Sequence, residues 1–302
     1  MQKQNLKAMT KVWFITGSSK GLGRSLVEAV VANGDKVVAT ARNVEQLNDL
    51  VEKFSDQILT LSLDVSNKKQ IYSSVKEAIE YFGKLDVLVN NAGFGVIGAT
   101  EAFTDEQVSS QLSVNLYAPI EITRAVLPYM RKQRSGRILQ ISSVGGRVGN
   151  AGLTIYQAAK FGLAGFSEAL NKEVVSLGIK VTSIEPGSFR TDWAGASMTF
   201  AKDIEGYEST VGGIKKFLTS GAFTPLGDPR KAAEVMLALV NHPEPPEHLV
   251  LGSEAVAILS SADESRKAEF EKWLPVSTST DHDDAENMFE SEEGKKFLSQ
   301  KE

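Results

Sequence analysis

The sequence predicts an α/β protein with a doubly wound parallel sheet of seven strands and helices on both faces. The first observation is the alternation of short apolar runs, rich in β-branched residues, with longer segments of helical periodicity. The second is that the apolar runs are almost continuously hydrophobic, which is typical of strands covered on both faces. The third is the size of the chain, since 302 residues of which 42% are hydrophobic can bury one large core.

The strands and helices are assigned in chain order. Strands are predicted at Val12–Thr16, Lys36–Ala41, Ile58–Leu63, Leu85–Asn90, Arg137–Ser142, Lys180–Glu185 and His248–Leu251. The clearest helical segments are Val44–Phe54, Lys68–Phe82, Gly162–Leu177 and Lys231–Val240. Because helical segments separate the strands, we expect parallel strands joined by right-handed crossovers. A ligand of such a sheet binds at the carboxyl ends of its strands.

The chain is expected to form one domain with an additional segment at either end. Residues 1–10 are a polar tail, residues 11–255 are the domain, and residues 256–302 are a C-terminal extension. The extension is expected to be helical in part, at Ala262–Trp273 and near Glu292–Leu298, and partly mobile because its acidic, polar end has little to bury.

Composition excludes several kinds of site. The chain has no cysteine, which excludes disulfides, thiol catalysis and cysteine-based metal sites, and its three histidines are scattered, so we expect no metal. The net charge is −5, but residues 263–302 hold twelve acidic and six basic residues, so the remainder is nearly neutral and offers no basic stripe for nucleic acid. The sequence shows neither a signal-peptide pattern nor an apolar run of membrane-spanning length, so we expect a cytoplasmic protein.

Three glycines stand between the first strand and the following helix, in the stretch Thr16-Gly17-Ser18-Ser19-Lys20-Gly21-Leu22-Gly23. Because glycine costs conformational entropy on folding, this density indicates a backbone that turns sharply or approaches a ligand closely. A plain strand-to-helix turn and a cradle of backbone N–H groups for phosphates are both compatible with it. The turns Asn90-Asn91-Ala92-Gly93 and Pro186-Gly187 favour a dinucleotide cradle, because all three turns fall at one edge of the predicted sheet.

Tyr156 and Lys160 are four residues apart at the start of a helical segment, so their side chains face the same side. A free tyrosine has a pKa of about 10, and a nearby cation is expected to lower it toward the range useful for acid–base catalysis. The preceding strand ends near Ser142 and Ser143, and a serine there can donate a hydrogen bond to an oxygen that gains negative charge. The alternative is an ordinary Tyr–Lys pair on a helix surface.

With these residues together, the sequence resembles the short-chain dehydrogenase/reductase family, in its single-domain subgroup with TGxxxGxG, NNAG and YxxxK motifs. The resemblance covers about residues 11–252, in matching order and spacing. It implies a Rossmann-like fold and an oxidoreductase that interconverts a carbonyl group and an alcohol by hydride transfer, with a tyrosine as acid and base.

The resemblance assigns four catalytic residues. Tyr156 exchanges the proton, while Lys160 lowers the pKa of the tyrosine and grips the nicotinamide ribose. Ser143 polarises the substrate oxygen, and Ser142 is its structural neighbour. Asn115 matches a residue that helps to hold a water linking the lysine to solvent; a polar contact that stabilises its own helix is an alternative or additional role.

The cofactor is predicted to be NADP(H) rather than NAD(H). Relatives that use NAD usually carry an acidic residue where Ala41 stands, and here Arg42 follows that position. Arg42 and Lys20 suit a phosphate, which an aspartate would repel, although both can also be read as solvated surface charges. The residues matched to cofactor contacts are Gly17, Ser19, Lys20, Gly21, Leu22, Gly23, Arg42, Asp64, Val65, Asn91, Ala92, Gly93, Tyr156, Lys160, Pro186, Gly187 and Thr191.

The substrate is expected to be a small molecule, a moderately large apolar ketone, aldehyde or secondary alcohol. Its pocket is assigned to Phe94, Ser143, Val144 and Trp193. Apolar residues spaced four, three, four, three and four apart from Phe200 to Leu218 predict one face of a helix within residues 192–224. That helix is interpreted either as a substrate lid or as an ordinary core-facing helix.

Two further functions are compatible with the fold. A non-catalytic NADP-binding regulator that senses redox state has no need of all four catalytic residues, and the short substrate region disfavours an epimerase or dehydratase. A homodimer or homotetramer is expected by analogy with relatives that pair through the helix containing Phe161, Phe166, Leu170 and Val174; these apolar residues can equally belong to the core of one chain.

Overall fold

The strands of the chain form two parallel sheets in the computed structural model, which describes residues 10–191, 198–221, 223–282, 284–285 and 288–299. The strands are β1 (Val12–Ile15), β2 (Lys36–Ala41), β3 (Ile58–Ser62), β4 (Val87–Asn90), β5 (Gly95–Ile97), β6 (Gly136–Ile141), β7 (Ile179–Pro186), β8 (Met198–Phe200) and β9 (His248–Leu251). The large sheet has the order β3-β2-β1-β4-β6-β7-β9, and every neighbouring pair is parallel. The predicted seven-stranded parallel sheet is therefore confirmed.

Helices lie against both faces of the large sheet. The α-helices of the described residues are α1 (Gly21–Ala32), α2 (Asn48–Phe54), α3 (Lys68–Phe82), α4 (Asp105–Leu112), α5 (Ala118–Gln133), α6 (Thr154–Val174), α7 (Gly213–Thr219), α8 (Pro229–Asn241), α9 (Ser253–Thr278) and α10 (Glu292–Ser299). Residues of α1, α2 and α8 pack on one face of the sheet, and residues of α3, α5 and α6 pack on the other. A π-helical turn, Ser113–Tyr117, joins α4 to α5, and a second, Glu208–Gly212, precedes α7. Helix α3 has the predicted bounds, whereas α6 begins at Thr154 rather than at Gly162.

Burial of both faces explains why the strands are continuously hydrophobic. In β1, Trp13 and Ile15 belong to a cluster with side chains of α1 and α8, whereas Phe14 belongs to the opposite cluster with side chains of α3 and α5. All three residues are fully buried. Because full burial of an Ile or Phe side chain stabilises the fold by about 1.5–3 kcal/mol, β1 is firmly anchored on both sides. The glycine turn therefore starts from a rigid strand.

The strand order reverses beside β1. From β1 the chain crosses through α1 to β2 on one side, while β4 occupies the other side of β1. Loops that leave the carboxyl ends of two such strands diverge and open a crevice between them. Ile15 pairs with Val89, which places the glycine turn after β1 beside the Asn90–Gly93 turn after β4.

The segment from Phe200 to Leu218 is not one helix, so the predicted helical face is wrong in its first half. Phe200 ends β8, which pairs in parallel with β5 in the small sheet, and helical structure begins only at Glu208. Gly206 adopts a φ of 94°, a left-handed value that an α-helix does not contain. Residues 192–197, at the start of the predicted lid, lie outside the described residues.

The chain divides into two compact units after Leu259. The first unit contains both sheets, and the described α-helices of the second are the remainder of α9 and α10. Helix α9 extends well beyond the predicted Ala262–Trp273 in both directions, and α10 lies at its predicted position. No helix within the described ranges has both the length and the apolar character needed to cross a membrane.

Candidate active site

A cavity of about 710 Å³ lies at the carboxyl ends of β1, β4, β6 and β7. Sixteen of the residues matched to cofactor contacts line it: Gly17, Ser19, Lys20, Gly21, Leu22, Arg42, Asp64, Val65, Asn91, Ala92, Gly93, Tyr156, Lys160, Pro186, Gly187 and Thr191. Asn115, Ser143, Phe94 and Val144 line the same cavity. The parallel sheet thus brings separate segments of the sequence to one place.

One predicted cofactor-binding residue is placed differently. Gly23 packs beneath the glycine turn rather than lining the cavity, and a Cβ on it would lie 2.4 Å from both Gly17 O and Asn91 Nδ2. Such contacts support a role for Gly23 in packing α1 closely against the turn. Trp193, assigned to the substrate pocket, lies outside the described residues.

The glycine turn and the Asn90–Gly93 turn are fastened to each other. The hydroxyl oxygen of Thr16 accepts hydrogen bonds from the backbone N–H groups of Asn91, at 2.9 Å, and Ala92, at 3.0 Å. Asn91 Nδ2 donates to Thr16 O and Gly17 O at 2.8 and 3.0 Å. Gly17 has a φ of 67°, and a Cβ there would lie 2.9 Å from Ala92 Cα, so no larger residue fits without a shift of backbone.

Two cations line the cavity in the loops that follow the neighbouring strands β1 and β2. Lys20 and Arg42 both line it and are exposed. Among the residues that the structure describes, neither side chain forms an ion pair. Ala41, the residue that precedes Arg42, is buried at the end of β2 and brings no negative charge. This part of the cavity is suited to an anionic group.

Asp64 follows β3 at the same edge of the sheet. Its Oδ1 accepts hydrogen bonds from the backbone N–H and the hydroxyl of Ser66, at 2.9 and 2.7 Å, so it holds the turn that leads into α3. A contact of Asp64 with the adenine of a cofactor stays a prediction.

Tyr156 and Lys160 lie on the first two turns of α6, and both are almost completely buried. Lys160 Nζ lies 5.8 Å from the centre of the Tyr156 ring and donates a hydrogen bond of 2.7 Å to Ile141 O at the end of β6. The pair is therefore not a surface pair, and the helical spacing has brought both groups into one cavity.

Burial, rather than the neighbouring cation, dominates the ionisation of this pair. It raises the pKa of Tyr156 to about 12, against a smaller lowering by the hydrogen bond with Ser143. The expectation of a lowered tyrosine pKa is wrong for this structure, because removing water disfavours the phenolate more than the protein stabilises it. Burial also lowers the pKa of Lys160 to about 8, since an ammonium is likewise disfavoured away from water.

The two candidate serines have different surroundings. Ser142 is buried, and its hydroxyl donates to Lys160 O at 3.1 Å, a contact that ties β6 to α6. Ser143 is less buried; its Oγ accepts from the backbone N–H of Gly145 at 2.9 Å and also shares a hydrogen bond with Tyr156. This geometry supports the choice of Ser143 as the serine that acts with the tyrosine.

Asn115 sits in the π-helical turn between α4 and α5 and is fully buried. Its amide bonds both backbone groups of Phe94, accepting from the N–H at 3.2 Å and donating to the carbonyl at 2.8 Å. A Cβ on Gly93 would lie 2.8 Å from Asn115 Oδ1 and 3.8 Å from Lys160 Nζ, so the asparagine and the lysine flank the same glycine. π-Helical turns often occur at functional sites, and this one carries a polar side chain into the cavity.

The family model described as short chain dehydrogenase matches residues 11–201 of the chain. The chain belongs to this family. "Oxidoreductase BOA17" from Botryotinia fuckeliana (strain B05.10) is 44% identical over 270 residues, which cover 89% of this chain and 98% of that protein.

Solved structures of short-chain dehydrogenases agree with this assignment. The crystal structure of one from Streptomyces avermitilis has a TM-score of 0.86 and 38% identity, and it covers 90% of this chain and 100% of its own. A metagenomic short-chain oxidoreductase solved in complex with NADP has a TM-score of 0.64 and 25% identity, with coverage of 80% and 96%. The protein is thus an oxidoreductase of the short-chain dehydrogenase family.

In this short-chain dehydrogenase the cavity also contains side chains that sequence reasoning missed. They include Gln46, Asn150, Leu153, Gln157, Ser188, Phe189, Thr199, Phe223, Glu254 and Ile258. Glu254 accepts hydrogen bonds from the backbone N–H and the hydroxyl of Ser188. Ile258 belongs to the predicted C-terminal extension, in which the sequence indicated no site residue. Nothing in the sequence pattern indicates that the first turns of α9 return to the cavity.

Proposed function

We propose that the protein is an NADPH-dependent reductase that converts a ketone or aldehyde group of a moderately large apolar molecule into an alcohol. The observation that carries the proposal is the buried Tyr156, beside Lys160 and hydrogen-bonded to Ser143, in the same cavity as the glycine turn. A non-catalytic regulator is not favoured, because the site retains every group that proton transfer requires.

The state of the tyrosine supports the reductive direction. With a pKa of about 12, Tyr156 keeps its proton at neutral pH and can donate that proton to a substrate oxygen. Ser143 supports the same oxygen by a hydrogen bond, which stabilises negative charge as it develops. Lys160, still mainly charged below its pKa of about 8, stabilises the phenolate that Tyr156 leaves behind.

The residues present fit a phosphorylated dinucleotide. Gly17, with its left-handed φ and no room for a side chain, leaves backbone N–H groups free to approach phosphates at the start of α1. Lys20 and Arg42 provide charge for a further phosphate, and Ala41 brings no competing carboxylate. When bound, the nicotinamide supplies the hydride. The NADP complex of the metagenomic relative supports this choice of cofactor.

The substrate end of the site is proposed to be apolar. Phe94, Val144, Leu153, Leu218, Phe223 and Ile258 line the cavity, and pockets of this kind bind molecules mainly through apolar surface. Few polar groups, chiefly Tyr156 and Ser143, then orient the carbonyl.

The homo-oligomer and the cytoplasmic location stay predictions. On α6, Leu170 and Val174 belong to the core of this chain, whereas Phe161 is 44% exposed and is free to meet a partner. Light scattering of the purified protein tests the expected dimer or tetramer.

A panel of apolar ketones and aldehydes, assayed by loss of NADPH absorbance and repeated with NADH, tests the function. We expect turnover with NADPH on at least one substrate and a loss of at least about a hundredfold in kcat for Tyr156→Phe, with NADPH still bound, since general acid catalysis contributes roughly 10²–10⁴-fold. Substantial residual activity in Tyr156→Phe contradicts the mechanism. Equal efficiency with NADH and NADPH contradicts the cofactor assignment.

A further inference from the structure

The side chain of Glu185 is completely buried in β7, immediately before Pro186. A buried carboxylate is costly unless other groups pair with it, so an apolar residue would ordinarily occupy such a position in a central sheet. The proposed reaction does not use Glu185 directly. Its contacts show what it holds instead.

Three side chains meet the Glu185 carboxylate. His248 Nδ1, at the start of β9, lies 2.7 Å from Oε1, and the Ser183 hydroxyl donates to the same oxygen at 3.3 Å. Arg147 Nη1 donates to Oε2 at 3.4 Å. The hydrogen bond to Glu185 raises the pKa of His248, against burial and the charge of Arg147, and Glu168 on α6 also faces the imidazole at 3.9 Å.

Arg147 connects this carboxylate to the catalytic serine. Ser143 opens the short turn Val144–Gly146, and Arg147 closes that turn by donating its backbone N–H to Val144 O at 2.9 Å. On the other side, Glu185 is followed directly by Pro186 and Gly187, which line the cavity. The carboxylate therefore joins two loops that form walls of one site.

We infer that Glu185 is a positioning residue of the site, which acts through Arg147 to fix the turn carrying Ser143 relative to the Pro186–Gly187 loop. This inference rests on the proposed function. A carboxylate suits the task because its two oxygens take different partners: Oε2 holds the serine turn through Arg147, and Oε1 holds the edge strand β9 through His248.

The test is a set of matched variants assayed with NADPH and a carbonyl substrate. Glu185→Gln keeps the size of the side chain but removes its charge, and we expect kcat to fall about tenfold while KM for NADPH stays within about twofold. Arg147→Met is expected to show the same lowering of kcat with little change in KM for NADPH. The double variant should be no worse than the poorer single variant, because the two residues act on one turn. Glu168→Gln, which removes a more exposed carboxylate that also faces His248, should change kcat less than about twofold.

A second readout does not depend on activity. The backbone N–H of Gly145 bonds Ser143 Oγ inside the turn, so its hydrogen exchange reports the order of the turn. We expect this amide to exchange faster in Glu185→Gln and Arg147→Met, while both variants still melt well above the assay temperature. Glu168→Gln should leave its exchange unchanged.

Unchanged kcat and unchanged exchange in Glu185→Gln overturn the inference, as do additive losses in the double variant. Parallel losses of NADPH binding and kcat overturn it too, since they indicate general unfolding. If the unmodified protein reduces no carbonyl, the proposed function fails, and exchange of the Gly145 amide still decides the role of Glu185.

Discussion

At Tyr156, burial and the hydrogen bond with Ser143 shift the pKa of the phenol in opposite directions, and burial is stronger. The spacing of Tyr156 and Lys160 on a helix identifies a shared site, but it carries no information on how much water remains there. Depth in the fold decides the pKa of each group, so that the tyrosine keeps its proton at neutral pH and the lysine is a buried cation. The buried ammonium group of Lys160 therefore lowers the free energy of unfolding.

Replacing Lys160 by Met should raise the stability of the fold while abolishing turnover. The pKa of Lys160 falls from 10.5 in the unfolded chain to about 8 in the fold, so the penalty is fully present below pH 8 and disappears as the pH rises to 10.5. A gain on the order of 1–2 kcal/mol below pH 8 is expected after the lost hydrogen bond to Ile141 is deducted. Thermal unfolding between pH 6 and 10 measures it, with the exposed Lys69→Met as control. A stability gain that grows with pH contradicts this account.

Arg42→Asp should move the cofactor preference toward NADH. The substitution removes a cation and introduces a carboxylate that repels a phosphate but accepts hydrogen bonds from ribose hydroxyls. We expect the ratio of kcat/KM for NADPH over NADH to fall at least about tenfold, because a hydrogen bond to a charged group contributes about 1.5–3 kcal/mol. An unchanged ratio would show that Arg42 is only a surface charge.

At the scale of the elements, the glycine turn combines a positive backbone φ with a close approach to a neighbouring turn, and a matched pair of variants can separate these two constraints. Gly17 and Gly34 both have positive φ, 67° and 85°, but a Cβ on Gly34 meets nothing within 4 Å, whereas one on Gly17 meets Ala92 Cα at 2.9 Å. Gly34→Ala therefore measures the backbone strain alone, expected to cost roughly 1–2 kcal/mol.

Gly17→Ala should destabilise the protein more than Gly34→Ala and should also weaken NADPH binding. The added methyl group pushes the turn away from the Asn90–Gly93 turn, which distorts the cradle itself. Chemical denaturation and NADPH fluorescence measure the two effects. Equal stability loss and intact binding in both variants contradict a close approach at Gly17.

The same elements show what the sequence could predict and what it could not. β1 and the Thr16–Gly23 turn were predicted because a buried strand and a glycine spacing are local signals. Strands β5 and β8, three residues each, are too short to show a period, and the helical face from Phe200 was misassigned for that reason. Local sequence pattern does not indicate tertiary contacts. It therefore could not predict that Glu254 and Ile258 line the cavity, or that Glu185 is the centre of a hydrogen-bond network.

At the scale of the whole molecule, the residues that line the cavity come from nearly all of the chain that forms the large sheet, from the turn after β1 to the first turns of α9. Ile258→Ala should raise KM for an apolar carbonyl substrate severalfold, since each buried methylene contributes about 0.8 kcal/mol. KM for NADPH should not change. Val256→Ala, on the same helix but 52% exposed and not among the residues lining the cavity, is the control for steady-state kinetics. A rise in KM for NADPH instead would place Ile258 beside the cofactor.

β9 is the outermost strand of the large sheet, and α9 begins two residues after its end. The chain beyond Leu251 can therefore be replaced without threading anything through the sheet, and the replacement still reaches the wall of the cavity at position 258. Tyr156, Lys160 and Ser143 all precede this point, so we expect chimaeras joined here to keep these residues from one parent and to take the side chain at position 258 from the other. Provided that the exchanged segment keeps Glu254 on Ser188, exchange of the tail is expected to change substrate preference while the proposed catalytic residues stay in place.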